Sequence, residues 1–176
     1  MADKVSSALT PMVATARTIK KKHPNARVVF VGPCASKKLE ASRRTVRSDV
    51  DFVITFEELT GMFEAKGILL DEIKAMDEMK DATAAGRGYG VAGGVANAIK
   101  ECIEKYYPGT PVNIQHAESL AECKKALLLA KAGKMNGCLI EGMACPGGCI
   151  AGAGTNIAIP VAARAVDKFK NEAEKK

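Results

Sequence analysis

Arg27-Val28-Val29-Phe30-Val31-Gly32, running straight into Pro33-Cys34, is the stretch on which the fold turns. Its apolar residues follow one another without alternation, the pattern of a strand covered on both faces in a parallel sheet. Asp51-Phe52-Val53-Ile54-Thr55 repeats the pattern. Upstream, Ala8, Leu9, Met12, Val13, Ala16 and Ile19 recur at helical spacing, so Ser7 to Lys22 reads as an amphipathic helix closed by His23-Pro24. Thr55 with Glu58 forms a capping box, which opens a helix ending near Gly67.

The same alternation continues downstream. Leu69 to Met79 reads as a further helix, and Asp81 to Gly94, with its many glycines, as a loop entering a helix from Val95 to Tyr107. Val112 to Gln115 is a brief strand. Ser119 and Glu122 form a second capping box before a helix from Leu120 to Ala132, stopped by Gly133. Gly137 to Glu141 is a strand, and Pro160 to Glu174 a closing amphipathic helix whose tail, Lys170 to Lys176, reads as frayed. Strands alternating with helices predict an α/β fold, a mostly parallel sheet with helices on both faces, in one domain over residues 1–176. Ligands of such sheets sit beyond the carboxyl ends of the strands. Gly32-Pro33-Cys34 and Met143-Ala144-Cys145-Pro146-Gly147-Gly148-Cys149 both follow strands, so the topology allows them to meet there.

The composition narrows the function classes. With 176 residues, 47% of them hydrophobic, the chain can bury one core. It has no run of eighteen apolar residues and no secretory leader, which predicts a cytoplasmic protein without membrane association. The net charge of +6 gathers at Lys20 to Lys22, from Lys37 to Arg47 (Lys37, Lys38, Arg43, Arg44, Arg47) and at Lys124-Lys125. No stacking aromatics interleave with these cations and Trp is absent, so they read as solvated faces and not as a nucleic-acid surface. Six cysteines at uneven spacing (34, 102, 123, 138, 145, 149) point to thiolate ligands or buried thiols, not to a disulfide framework.

Cys145-Pro146-Gly147-Gly148-Cys149 is the sharpest feature. Two thiols four residues apart, separated by a proline and two glycines, do not form a plain helix face, and glycines let backbone amides approach a cluster's sulfurs. A turn with two buried thiols is the competing account, against which Gly152 and Gly154 add further glycine. Cys34 alone reads as a core cysteine, but Pro33 fixes its loop and Lys37 and Lys38 bring ammonium groups near the thiol. Of these two, Lys38 reads as solvated. Gly86 to Gly94 is similar to a phosphate cradle but lacks the Lys-Ser/Thr ending and a preceding strand, so close backbone packing is the simpler account. His23 and His116 read as structural, and Cys102, Cys123 and Cys138 as packing residues.

Val29 to Glu40 and Ile140 to Gly154 resemble the second and third signature motifs of the iron-only (FeFe) hydrogenases, and Asp49 to Leu59 and the Gly93-Gly94 helix entry resemble that family's intervening region. The resemblance implies a 4Fe-4S cluster joined to a two-iron subsite, which interconverts protons and electrons with hydrogen. It implies Cys34 and Cys145 as ligands of the cube and Cys149 as the bridging ligand. Lys37 matches a lysine that donates to a cyanide of the distal iron, and Met143 a methionine packed against the subsite. Thiolates suit iron, an ammonium suits cyanide, and an apolar thioether shields the site.

The departures from the family pattern carry their own implications. The first motif, of Thr-Ser-Cys-Cys-Pro type, is absent, and with it the fourth cube ligand and a proton-relaying cysteine. Gly32 replaces the usual methionine before Pro-Cys, and Thr10-Pro11-Met12 stands where Ser-Pro-Gln-Gln is usual, as in the divergent, sensory branch. The resemblance thus implies a truncated later part of the catalytic domain, inactive alone. An upstream segment or domain would supply the fourth cysteine, and an electron-transfer iron-sulfur domain or ferredoxin would serve as partner. Two alternatives stay open: a non-catalytic iron-sulfur or scaffold relative, and a structural zinc site, for which three conspicuous ligands are one too few.

Overall fold

The computed structural model describes residues 2–43, 49–74 and 81–174. The chain forms two compact units, one of Met1–Ile73 with Gly152–Asn156 and one of Lys74–Ala151 with Ile157–Lys176.

In the first unit, β1 (Val29–Val31) pairs in parallel with β2 (Phe52–Ile54), Val29 opposite Phe52 and Val31 opposite Ile54. The helix ahead of them, α1 (Pro11–Lys22), starts four residues later than its apolar spacing suggests. Pro11 stands at its first turn, where the missing N–H would have had no intrahelical partner and the fixed φ suits a helix start. Met12, Val13 and Ala16 on α1 form this unit's buried apolar core. Asp51 pins the strand pair to the end of α1: its carboxylate accepts the Val28 amide at 2.7 Å, Lys20 at 2.9 Å and Arg27 at 3.0 Å. The Val28 amide first, then the two cations, hold the Asp51 carboxyl well below the usual carboxylate range. Ser36–Ser42 is α2, and α3 (Phe56–Ala65) opens with the expected box in full. Thr55 Oγ1 accepts the Glu58 amide at 3.2 Å, and Glu58 accepts the Thr55 amide at 2.9 Å. Where a helix was expected from Leu69 to Met79, a single 3-10 turn spans Leu70–Glu72, and residues 75–79 lie outside the described residues. Arg44 and Arg47 lie outside them too.

In the second unit, β3 (Asn113–Glu118) and β4 (Cys138–Met143) pair in parallel, with Asn113 opposite Cys138 and Glu118 opposite Met143. Both strands run further than expected, β3 through His116 and Ala117 to Glu118 and β4 through Gly142 to Met143. Gly94–Tyr106 is α5, Leu120–Lys131 is α6 and Ile159–Asn171 is α7. The expected glycine loop holds short helical pieces of its own, α4 (Ala84–Arg87) and a 3-10 turn at Gly88–Gly90. Thr83 Oγ1 caps α4 by accepting the Gly86 amide. The core is built of small residues, with Ala96, Ala117, Ala126 and Ala162 buried. The second capping box is only half formed. Ser119 accepts the Glu122 amide, but the Glu122 carboxylate takes the amide of Glu118, one residue before the cap.

The α/β class and the parallel pairing are as expected, realised as two two-stranded sheets, one in each unit. Cover on both faces is not found for the first pair. Val29 is 46% exposed, Val31 38% and Phe52 62%, while Phe30 is half-buried.

Candidate metal-binding site

Gly148 decides where the cysteine loop sits. Its φ of +89° lies in the left-handed region, and a Cβ on it would stand 2.5 Å from the Ala92 nitrogen. That closeness lets Gly148 bridge to Val91 in antiparallel fashion, while the Ala92 amide donates to the Gly147 carbonyl at 3.1 Å. Gly147, at φ +92°, offers its own amide to the Glu118 carboxylate at 3.0 Å. Within the loop the Gly148 amide donates to the Cys145 carbonyl. The peptides between the two cysteines are thus held by β3 and by the glycine loop. Cys145 is half-buried, Cys149 is exposed, and neither is in a disulfide. Met143, half-buried, is the last residue of β4 and precedes Cys145 by two positions.

The glycine loop has no room for a phosphate. A Cβ on Gly94 would lie 2.1 Å from the Gly88 carbonyl oxygen, the close backbone packing expected there. The start of α5 is filled by Glu141, whose buried carboxylate accepts the Gly93 amide at 2.7 Å and the Ala96 amide at 3.0 Å. An anion at a helix N-terminus satisfies orphan amides and meets the positive end of the helix dipole. His116 stands 3.0 Å from the same carboxylate through Nδ1, a structural role as expected. Glu118 lies outside both signature motifs, and Glu141 lies inside the third without having been read as a site residue. For Glu141 the available signal was an acidic residue inside an apolar strand, a placement that needs a partner.

In the first unit Cys34 is a half-buried free thiol in the loop after β1. The preceding Gly32 is buried, and a Cβ there would meet the Phe30 ring at 2.8 Å. The Phe30 ring therefore takes up the space that a larger residue before Pro33-Cys34 would need. The Gly154 amide donates to the Pro33 carbonyl at 2.9 Å, and a Cβ on Gly154 would collide with Thr55. Lys37 pairs with Glu40, which also accepts the Thr10 hydroxyl. Burial pushes the Glu40 carboxyl up, but the Lys37 and Thr10 hydrogen bonds outweigh it and leave it below its ordinary value. Lys38, read as solvated, pairs with Glu58 on the surface. That bond first, then the Thr55 amide, lowers the Glu58 carboxyl.

Of the other cysteines, Cys123 packs as expected, its sulfur 3.6 Å from the Ala117 carbonyl and 3.8 Å from that of Met143. Cys138 is half-buried on β4. Cys102 departs from the expectation: it is exposed on α5, so packing does not account for it. Within either unit taken alone, no three His, Cys, Asp or Glu side chains among the described residues form a metal-binding group. The thiols fit iron in donor type, with Cys145 and Cys149 on one pre-ordered loop and Cys34 on a strand-end loop. None of the described helices is long and apolar enough to cross a membrane.

The family model for the iron only hydrogenase large subunit, C-terminal domain, matches residues 1–153, and the chain belongs to that family. Solved FeFe-hydrogenases share its fold. A structure concerned with oxygen inactivation, initiated by modification and degradation of the 2Fe subcluster of the H cluster, superposes with a TM-score of 0.66 at 20% identity, covering 97% of this chain and 60% of its own. One concerned with stepwise H-cluster assembly, HydA(deltaEFG), gives 0.65 at 20% identity, covering 97% and 61%. A variant of HydA1 from Chlamydomonas reinhardtii gives 0.64 at 20% identity, covering 97% and 62%. The chain therefore spans about 60% of the length of the hydrogenases it matches.

Proposed function

We propose that this chain is the cluster-holding later part of an iron-only hydrogenase catalytic domain, with Cys34, Cys145 and Cys149 as its thiolate ligands for a 4Fe-4S cluster and two-iron subsite. The observation that carries the proposal is the family match, which takes in both cysteine motifs, together with a cysteine loop held by Glu118, Ala92 and Val91. When bound, such a group exchanges electrons and interconverts protons with hydrogen. The chain's own part is to hold and surround it. Cys34, Cys145 and Cys149 would hold the cluster through their thiolates, Cys149 on the side of the two-iron subsite. Met143 supplies an apolar wall. Lys37 would supply an ammonium donor while one of its N–H groups is engaged by Glu40.

The open faces of Val29, Val31 and Phe52 support a further protein layer, in line with an upstream segment or partner domain that brings the fourth thiolate. We place the protein in the cytoplasm, where free thiols persist, with a ferredoxin-like donor and a role in hydrogen turnover or hydrogen sensing.

The Lys37–Glu40 pair favours a second reading, a relative that keeps the fold and a cluster but never receives the two-iron subsite. Infrared spectra of the full-length protein after anaerobic maturation separate the two. Carbonyl and cyanide stretching bands, lost in Cys149→Ala, are the expected result. Their absence from the unsubstituted protein would leave the non-catalytic reading standing.

A further inference from the structure

Glu118 belongs to neither cysteine motif, yet it is the side chain that touches the peptide between the two loop cysteines. It ends β3, opposite Met143 in the ladder, and its carboxylate reaches past Met143 to the Gly147 amide at 3.0 Å. Its position is itself fixed, because the Glu122 carboxylate accepts the Glu118 amide at 2.8 Å at the start of α6. The opposite end of the tied residue is also held, through the Ala92 amide on the Gly147 carbonyl. A half-buried carboxylate accepting from an amide makes a charge-assisted bond, stronger than its neutral counterpart. Gly147 sits at φ +92° and supplies no side-chain packing of its own, so these bonds must hold it where it is.

We propose that Glu118 is a positioning residue for the cysteine loop, its hold on the Gly147 amide fixing the conformation in which residues 145–149 present their two thiols. The Gly148 amide is taken within the loop by the Cys145 carbonyl, so with the Gly147 N–H engaged by Glu118 both glycine peptides between the thiols are held. The functional consequence rests on the cluster reading given above; the tie itself does not.

The test uses the full chain, anaerobic and metal-free, with hydrogen exchange at Gly147 as the first readout. Exchange should quicken by about ten- to a hundredfold in Glu118→Ala, the loss of one charge-assisted hydrogen bond. It should quicken by less in Glu118→Gln, which keeps an acceptor oxygen and also serves should the alanine variant fail to fold. Alkylation of Cys145 and Cys149 by iodoacetamide should change in step, with Cys102 unaffected. Unchanged Gly147 exchange in both variants would overturn the proposal, and so would a rise shared equally by β3 and α6, since that marks a general loss of stability. Reconstitution with iron and sulfide separates the two claims. A responsive loop in a chain that takes up no iron counts against the cluster reading and for the tie, whereas an unresponsive loop in a chain that does bind iron counts the other way.

Discussion

Glu141 Oε2 accepts the Gly93 amide at 2.7 Å, so the anion site at the start of α5 is filled by the chain's own carboxylate. Its second oxygen takes the Ala96 amide, and no free anion can compete without displacing a buried charge. The protein should therefore show no saturable binding of inorganic phosphate by calorimetry. Glu141→Ala should cost about 2–4 kcal/mol in denaturant unfolding, since it leaves buried amides unpaired, and Glu141→Gln should cost less.

Two glycines with the same sign of φ should respond differently to alanine. Gly137, at φ +74°, has no neighbour within 4 Å of an added Cβ, so Gly137→Ala meets only backbone strain of about 1–2 kcal/mol. Gly148, at φ +89°, would also drive its Cβ into the backbone of Val91 and Ala92, so Gly148→Ala should cost about 3 kcal/mol or more and release the cysteine loop. Thermal unfolding of the pair checks the difference, and equal losses would contradict the close docking of the loop.

Much of the fold was legible because local chemistry and final structure agree. The Thr55 and Glu58 box and the strand at Phe30 each act within a few residues, whereas Pro11, which sets the start of α1, was passed over for the apolar spacing from Ser7. What escaped depends on distant neighbours. Leu69 to Met79 has helical spacing, yet its described part is a single turn. Glu118 and Glu141 act across gaps of 29 and 45 to 48 residues, and nothing in the spacing announces such partners. The candidate site was legible as chemistry, from thiols, glycines and proline. The means of holding its loop were not, since carboxylate-to-amide bonds leave no sequence pattern.

Asp51 gives the first unit a predictable acid sensitivity. Its folded carboxyl lies below its unfolded value, so the stability contributed by Val28, Lys20 and Arg27 is complete above about pH 4 and declines as pH falls through the folded pKa. Asp51→Asn should lower the unfolding midpoint at neutral pH. Its deficit relative to the unsubstituted chain should shrink progressively below about pH 4. A deficit that is constant down to the acid-unfolding region would contradict this linkage.

Glu40 holds Lys37 while Thr10 holds Glu40. Glu40→Ala should therefore free the Lys37 amine, raising its rate of acetylation by acetic anhydride severalfold. Lys38, paired with Glu58 instead, should react as before. Equal changes at both lysines would point to loosening of α2 as a whole.

The most direct measurement is iron and acid-labile sulfide per chain after anaerobic reconstitution of the protein and of its Cys34→Ala, Cys145→Ala, Cys149→Ala and Cys123→Ala variants. The unsubstituted chain and the Cys123 variant are expected to take up about four of each with a 4Fe-4S spectrum. Each of the other three variants should lose most of that iron. Full iron uptake by Cys34→Ala would contradict a cluster shared by the three thiols.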